Sequence, residues 1–155
     1  MILIFIFIGM TVILLDNSSI YMNTKKIKSG LSLSVKAAAL AINENEQLAE
    51  GIFTINPVQA ERNFKQILSE NIGLNVITFE PLSTGSLVTE KPEIREFVVE
   101  NNTPATYYSP ALENSFTFEN PSVVAVIRVK VKGVFSSRII TMYKLSSSQL
   151  TSVYE

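Results

Sequence analysis

The chain begins Met1-Ile-Leu-Ile-Phe-Ile-Phe-Ile-Gly-Met-Thr-Val-Ile-Leu-Leu15, and the next residue is Asp16. Apart from Gly9 and Thr11, every side chain in this stretch is a large apolar one, and none is charged. As a helix rising about 1.5 Å per residue it would be roughly 22 Å long, short of the ~30 Å hydrocarbon core of a bilayer. Continuing to Met22 gives enough length but includes Asp16, whose carboxylate is costly in hydrocarbon. The role of the apolar stretch is therefore tied to the role of Asp16.

Three interpretations of residues 1–22 remain open. A cleaved secretory signal needs a basic N-terminal region and a small-residue cleavage site, but no Lys or Arg precedes Ile2 and no Ala-x-Ala follows. A simple membrane anchor would place the C-terminal part of the chain in the cytoplasm, since Lys25, Lys26 and Lys28 follow the apolar run. In the third interpretation the chain starts at a processed N-terminus that has lost a basic leader. The segment then waits in the membrane before it packs against copies of itself.

The overall composition indicates one modest domain behind the apolar stretch and argues against an enzyme. The chain has 155 residues and a net charge of −1, so it offers no basic field for nucleic acid. It contains no Cys and no His, which removes thiolate nucleophiles, Cys-ligated metals and the commonest general base. We therefore expect no catalytic site, no metal, no cofactor and no nucleic-acid partner.

The pattern after the apolar stretch is that of an amphipathic helix. Apolar residues recur at steps of four and seven, and the Lys and Ser residues mostly lie off their stripe. The stripe consists of Ile20, Ile27, Leu31, Ala38 and Ile42. No Pro occurs before Pro57, and Gly30 costs about 1 kcal/mol relative to Ala without having to end a helix. We therefore predict one helix over residues 1–48, apolar over 1–15 and amphipathic over 16–48, followed by a globular domain over 49–155.

The order of residues in this helix is similar to that of a known family. Asp16 is followed by Tyr21, by Lys25-Lys26-Ile27 and by the Ala-rich run 35–41. This order resembles the N-terminal region of TadE/TadG-like proteins of Tad (Flp) pili, which belong to the wider class of type IV pilins. The resemblance covers roughly residues 1–45. It implies a pilin-like fold, self-assembly through the apolar helix, and interaction with a pilus assembly machinery.

One position departs from the pilin pattern. Type IV pilins usually carry a Glu near the start of the apolar helix, where it is thought to meet the terminal amine of a neighbour during assembly. This chain has Phe5 there and no acid before Asp16. If the helices pack in a filament core, we expect Asp16 to need a cationic partner, namely the N-terminal amine, Lys25 or Lys26 of an adjacent subunit.

The rest of the chain predicts a second helix and a set of strands. Asn56 and Pro57 open a helix over residues 57–71 that ends at Gly73, and Gln59 occupies the capping-box position. Strands are predicted over 51–55, 74–80, 94–100, 115–118, 123–131 and 137–145, the last two joined by a turn at Lys132-Gly133, with a polar tail from Ser146. Alternate residues of the strand 123–131 form one apolar face, and its other face is apolar at the start and basic at the end, so we expect this strand to be central at one end and solvent-exposed at the other. The expected architecture is α+β: an antiparallel sheet of four to six strands packed against this helix and the second half of the long helix.

No group of residues in this outer domain points to catalytic chemistry. Glu93, Glu96 and Glu100 are candidate carboxylates, but the alternation of a strand places Glu93 and Glu96 on opposite faces. We interpret them as solvated charges. The pair Tyr107-Tyr108 is expected to pack on the sheet.

Two hypotheses of function follow. In the first, the protein is a structural subunit of an extracellular filament at the cell surface, inserted in the membrane before assembly and polymerising with copies of itself through its apolar helix. In the second, it is a membrane-anchored minor pilin, pilus-assembly protein or adhesin that does not itself form the filament. The residues expected to pack in the core of the assembly are Ile2, Ile4, Phe5, Phe7, Ile8, Val12, Leu15, Asp16, Ile20, Tyr21, Ile27 and Leu31.

Overall fold

A computed structural model of the protein describes residues 2–43, 53–135 and 138–150. It contains the helices α1 (Ile2–Ala39) and α2 (Pro57–Ile72) and the strands β1 (Glu93–Glu100), β2 (Ala105–Ser109), β3 (Asn114–Phe118), β4 (Ser122–Lys132) and β5 (Ile139–Gln149). A long apolar helix is followed by a small domain in which a helix packs on an antiparallel sheet. The predicted α+β fold is confirmed.

Helix α1 divides at Asp16 into two halves with different surroundings. The side chains of residues 2–15 are exposed, except that of Val12, which is half-buried. From Asp16 onward one face of the helix packs on α2, β4 and β5. The buried apolar residues of this half are Ile20, Ile27, Leu31, Val35, Ala38 and Ala39. They confirm the predicted amphipathic stripe within the helix.

Helix α1 ends at Ala39, short of the end predicted at residue 48. Residues 41–43 instead lie antiparallel to residues 54–56, joined by backbone hydrogen bonds of 2.7 and 2.9 Å. Because these backbone groups bond across the returning chain, they cannot also continue the helix. The predicted end of the helix at residue 48 and the start of the predicted strand 51–55 fall in residues 44–52, which lie outside the described residues.

Helix α2 begins and ends at the residues that the sequence indicated. The Asn56 side chain accepts hydrogen bonds from the N–H groups of Val58 and Gln59, both at 3.1 Å. At the other end Gly73 takes the left-handed conformation with φ of 76°, which glycine adopts without a steric penalty. The predicted capping box is wrong, because the Gln59 side chain donates to Asn63 at 2.8 Å instead.

Helices α1 and α2 approach each other closely at Gly30. A Cβ on this residue would lie 3.0 Å from Cβ of Asn71 and 3.2 Å from Cγ2 of Ile72. Gly30 therefore does more than weaken the helix, since its lack of a side chain lets the second helix pack at this level. The largest buried side chain on α2, Phe64, packs on Phe97 of β1 with ring centroids 4.9 Å apart.

The strands form two sheets rather than the single sheet of four to six strands that was predicted. One is antiparallel with the order β1-β4-β5, and the other is the hairpin β2-β3. Strand β4 is the central strand, and both its faces are buried over residues 122–127, as its apolar start predicted. Its helix-facing residues Val123, Ala125, Ile127, Val129 and Val131 belong to the hydrophobic core.

Three elements differ from their predictions for identifiable reasons. Residues 74–80 form a turn rather than a strand, because the Asn75 side chain accepts from the N–H groups of residues 77 and 78, both at 2.9 Å. The strand β2 was not predicted. Strand β5 runs on through the serines expected to start a polar tail, because Ser146 pairs with Ala125 and its hydroxyl bonds the hydroxyl of Ser32 at 3.2 Å.

The carboxylates Glu93 and Glu96 lie on the same face of the sheet, not on opposite faces. A bulge between Ile94 and Glu96 adds a residue to β1, so Glu93 pairs with Arg128 and Glu96 with Val126, two residues apart on β4. The Glu93 side chain is 39% exposed, in agreement with its interpretation as a solvated charge, whereas Glu96 is half-buried. Glu93 forms an ion pair of 2.6 Å with Arg128.

Glu96 has a structural role at the hairpin β2-β3. Its carboxylate accepts from the hydroxyl of Tyr107 at 3.1 Å and from the N–H of Ala111 at 2.7 Å. Burial and this hydrogen bond to Glu96 raise the pKa of Tyr107 above its usual value. The hairpin is thereby tied to the sheet face that lies away from the helices.

Candidate functional site

The most distinctive surface of the protein is the apolar half of α1, residues 2–15. Its exposed fractions include 79% for Ile2, 72% for Phe7 and 68% for Leu14. Thr11, the only hydroxyl in the segment, donates to the backbone oxygen of Phe7 at 2.9 Å, so it requires no outside partner. The segment can therefore be surrounded by apolar neighbours without leaving a polar side chain unsatisfied in its hydrogen bonds.

The residues predicted to pack in the core of an assembly fall into two groups. Seven are exposed and open to contact with another molecule: Ile2, Ile4, Phe5, Phe7, Ile8, Leu15 and Tyr21. Val12 is half-buried, and the rest are buried against their own domain: Asp16, Ile20, Ile27 and Leu31. The second group thus contributes to the fold of the single chain.

Asp16 is buried at the point where α1 leaves the domain, with only 6% of its surface exposed. Its Oδ1 accepts the backbone N–H of Phe135 at 2.7 Å. Phe135 belongs to the turn between β4 and β5, 119 residues further along the chain. The carboxylate that we expected to need a partner in an adjacent subunit, if the helices pack in a filament core, therefore has a hydrogen-bond donor within its own chain.

The close approach of this turn to Asp16 depends on Gly133. A Cβ at Gly133 would lie 2.8 Å from Cγ and Oδ1 of Asp16 and 2.9 Å from Oδ2. The absence of a side chain thus leaves the space that the carboxylate fills. The sequence predicted a turn at Lys132-Gly133 but gave no sign that a residue of the N-terminal helix fits into it.

The same turn adds apolar surface beside the helix. Val134 is 67% exposed and Phe135 is 61% exposed, and Ile139 at the start of β5 is 51% exposed. We call these three residues the turn patch. Sequence reasoning missed it, although two large apolar residues next to a turn glycine are the signal that could have found it.

A cavity of about 160 Å³ lies between the helix and the turn. It is lined by Ile13, Asp16, Asn17, Ile20 and Arg138 and opens to the surface. Among the described residues no group of three side chains is placed to bind a metal ion. The cavity thus offers space beside one carboxylate and one guanidinium.

The basic residues that follow on α1 lie on its exposed side. The ammonium of Lys25 lies 4.6 Å from the centre of the Tyr21 ring, a cation–π contact within one helix. Both side chains are exposed. The predicted cationic partners of Asp16 therefore remain at the surface in the single chain, and Lys25 stacks on its own helix.

Comparison with protein-family models, with curated proteins and with solved structures gave no match. By length and composition α1 is able to cross a membrane, with a mean hydropathy of 2.0 over its most apolar window, of which 6% is buried.

Proposed function

We propose that this protein is a structural subunit of an extracellular pilus-like filament, which polymerises through residues 2–15 after a stage in the membrane. The observation that carries the proposal is the division of α1 at Asp16. One half of the helix is used by the protein's own domain, and the other half presents only apolar side chains, glycine and one internally bonded threonine.

The energetics of the exposed half call for a partner. Fully burying a side chain of the size of Leu, Ile or Phe contributes about 1.5–3 kcal/mol. The large apolar members of the segment that are exposed are Ile2, Leu3, Ile4, Phe5, Ile6, Phe7, Ile8, Met10, Ile13, Leu14 and Leu15. Their combined burial would supply a large driving force, which either lipid or copies of the same helix can satisfy.

Two features favour packing against other helices as the final state. Residues 16–22 cannot lengthen a bilayer-spanning segment freely, because Asp16 and Ile20 are buried against the domain. Gly9 has no atom within 4 Å of the position of an added Cβ, so another helix can approach its backbone closely.

The second candidate function is a membrane-anchored assembly protein or adhesin that does not polymerise. The observation in its favour is the membrane-compatible length and composition of α1. In that case lipid alone covers residues 2–15, and the shape of their surface is unimportant as long as it stays apolar.

A matched pair of substitutions separates the two functions. Gly9→Leu adds bulk at the proposed helix contact while it raises both helix propensity and hydrophobicity. Met10→Leu changes the neighbouring exposed residue with little change in volume. Each full-length chain is purified in detergent, the detergent is removed, and the product is examined by electron microscopy, with binding to lipid vesicles measured in parallel.

We expect filaments from the wild type and from Met10→Leu, and few or none from Gly9→Leu, with vesicle binding retained by all three. Absence of filaments from the wild type, both in this assay and in material sheared from the source cells, would contradict the filament proposal and favour the anchored protein.

A further inference from the structure

We propose that the turn patch, Val134, Phe135 and Ile139, is a membrane-surface anchor that rests in the headgroup region of an anionic bilayer while residues 2–15 are inserted. The inference rests on the membrane stage of the proposed function. It assigns to the turn between β4 and β5 a ligand of stated chemistry, a lipid surface with negatively charged headgroups.

The position of the patch along α1 supports this assignment. The N–H of Phe135 is bonded to Asp16, the residue directly after the apolar segment. When residues 2–15 lie in hydrocarbon, Asp16 lies at its boundary, and the turn is held at the same depth. Large apolar and aromatic side chains at this depth enter the zone between headgroups and acyl chains, where such residues are favoured.

The exposure of the patch gives it surface to bury. Phe135, at 61% exposed, and Val134, at 67%, are next to each other in sequence and beside a helix whose last residues before Asp16 are also exposed. The apolar surface of the helix thus continues onto the turn. A lipid surface can cover both together.

The charges around the patch suit an anionic surface. Lys132 precedes the patch in sequence and Arg138 lies between Phe135 and Ile139, and both are exposed. Residues 131–143 contain no acid, and Asp16 is the only acid in residues 1–24. Counting Lys132, Arg138 and Asp16, the net formal charge of the side chains in these two ranges is +1, and basic residues near a membrane are attracted to anionic lipids.

The arrangement also accounts for the buried acid. A carboxylate at the edge of the hydrocarbon is costly unless it is paired or hydrogen-bonded. On the side of the domain, the backbone of Gly133 lies against the Asp16 carboxylate and the N–H of Phe135 donates a hydrogen bond to it. The turn therefore shields the acid and, in the same place, offers apolar side chains to the lipid.

The test uses single-tryptophan variants of the full chain, since the natural sequence has no Trp. Phe135→Trp reports on the turn patch, and Phe7→Trp reports on insertion of the helix. Tyr108→Trp, at a residue 55% exposed on the hairpin β2-β3, is the control for the outer domain. Each variant is reconstituted in vesicles of equal parts phosphatidylcholine and phosphatidylglycerol, with and without bromine on the acyl chains as a contact quencher.

For Phe7→Trp we expect a blue-shifted emission with strong quenching. For Phe135→Trp we expect a blue shift with at least twofold quenching by lipid brominated near the headgroup. For Tyr108→Trp we expect no quenching. Quenching of Phe7→Trp with Phe135→Trp unquenched would overturn the anchor and leave the proposed function standing. If Phe7→Trp is also unquenched, the membrane stage of the proposed function fails, and the anchor fails with it.

The charge requirement is tested in the Phe135→Trp chain by adding Lys132→Glu. We expect this change to reduce quenching in the anionic vesicles and to have little effect in vesicles of phosphatidylcholine alone. Equal quenching of both chains in both kinds of vesicle would overturn the assignment of an anionic surface.

Discussion

Replacing Asp16 distinguishes a carboxylate that holds its own domain together from one that joins two subunits. Asp16→Ala removes the acceptor of the Phe135 N–H, a hydrogen bond of 2.7 Å to a side chain that is 6% exposed. A hydrogen bond to a charged group contributes about 1.5–3 kcal/mol, so the free energy of unfolding should fall by about that amount. Asp16→Asn keeps an oxygen that can accept the Phe135 N–H and should cost less than Asp16→Ala.

The assay is thermal unfolding of the full chain in detergent, followed by circular dichroism, together with hydrogen exchange of the peptide that contains Phe135. For a chain of this size, the loss in Asp16→Ala corresponds to a melting temperature lower by about 3–12 °C. The Phe135 peptide should also exchange faster, because its amide has lost its acceptor. An Asp16→Ala chain that melts and exchanges like the wild type but forms no filaments would refute this reasoning and place Asp16 at a subunit contact.

Three further predictions concern other parts of the fold. Gly133→Ala should lower the free energy of unfolding by about 1–3 kcal/mol, because its Cβ would lie 2.8 Å from the Asp16 carboxylate. Thermal unfolding measures this loss, and an unchanged melting temperature would contradict the close approach. Asn56→Ala should cost about 1 kcal/mol by loss of the α2 cap, and Asn56→Asp should largely restore it. Burial and the contact with Glu96 raise the pKa of Tyr107. The contribution of Tyr107 to the free energy of unfolding is therefore fully present below the pKa of this tyrosine in the unfolded state, and it is lost as pH rises through the pKa in the folded state. Tyr107→Phe should therefore flatten the fall in stability at alkaline pH, and an equal slope in both proteins would contradict the shift.

The features that the sequence predicted correctly are those encoded by neighbouring residues. Asn56 and Gly73 mark the ends of α2 because a cap and a left-handed glycine act on the adjacent backbone. The apolar segment 2–15 and the alternation of β4 are likewise visible in short windows. The stripe on α1 followed from its periodicity alone.

The features that the sequence did not predict depend on residues far apart. The end of α1 is set by pairing with the returning chain at residues 54–56. The donor to Asp16 lies 119 residues away. The shared face of Glu93 and Glu96 follows from one extra residue in β1, which no alternation pattern reveals.

Cross-linking between copies of the chain shows whether the protein assembles through residues 2–15. The natural chain has no Cys, so Ile8→Cys places a single thiol on the exposed side of α1, and Tyr108→Cys places one on the outer domain as the control. In filaments under mild oxidation, we expect Ile8→Cys to form disulfide-linked dimers and its thiol to be protected from a water-soluble maleimide. Filaments in which Ile8→Cys stays monomeric and reacts with the maleimide as readily as Tyr108→Cys would contradict assembly through residues 2–15.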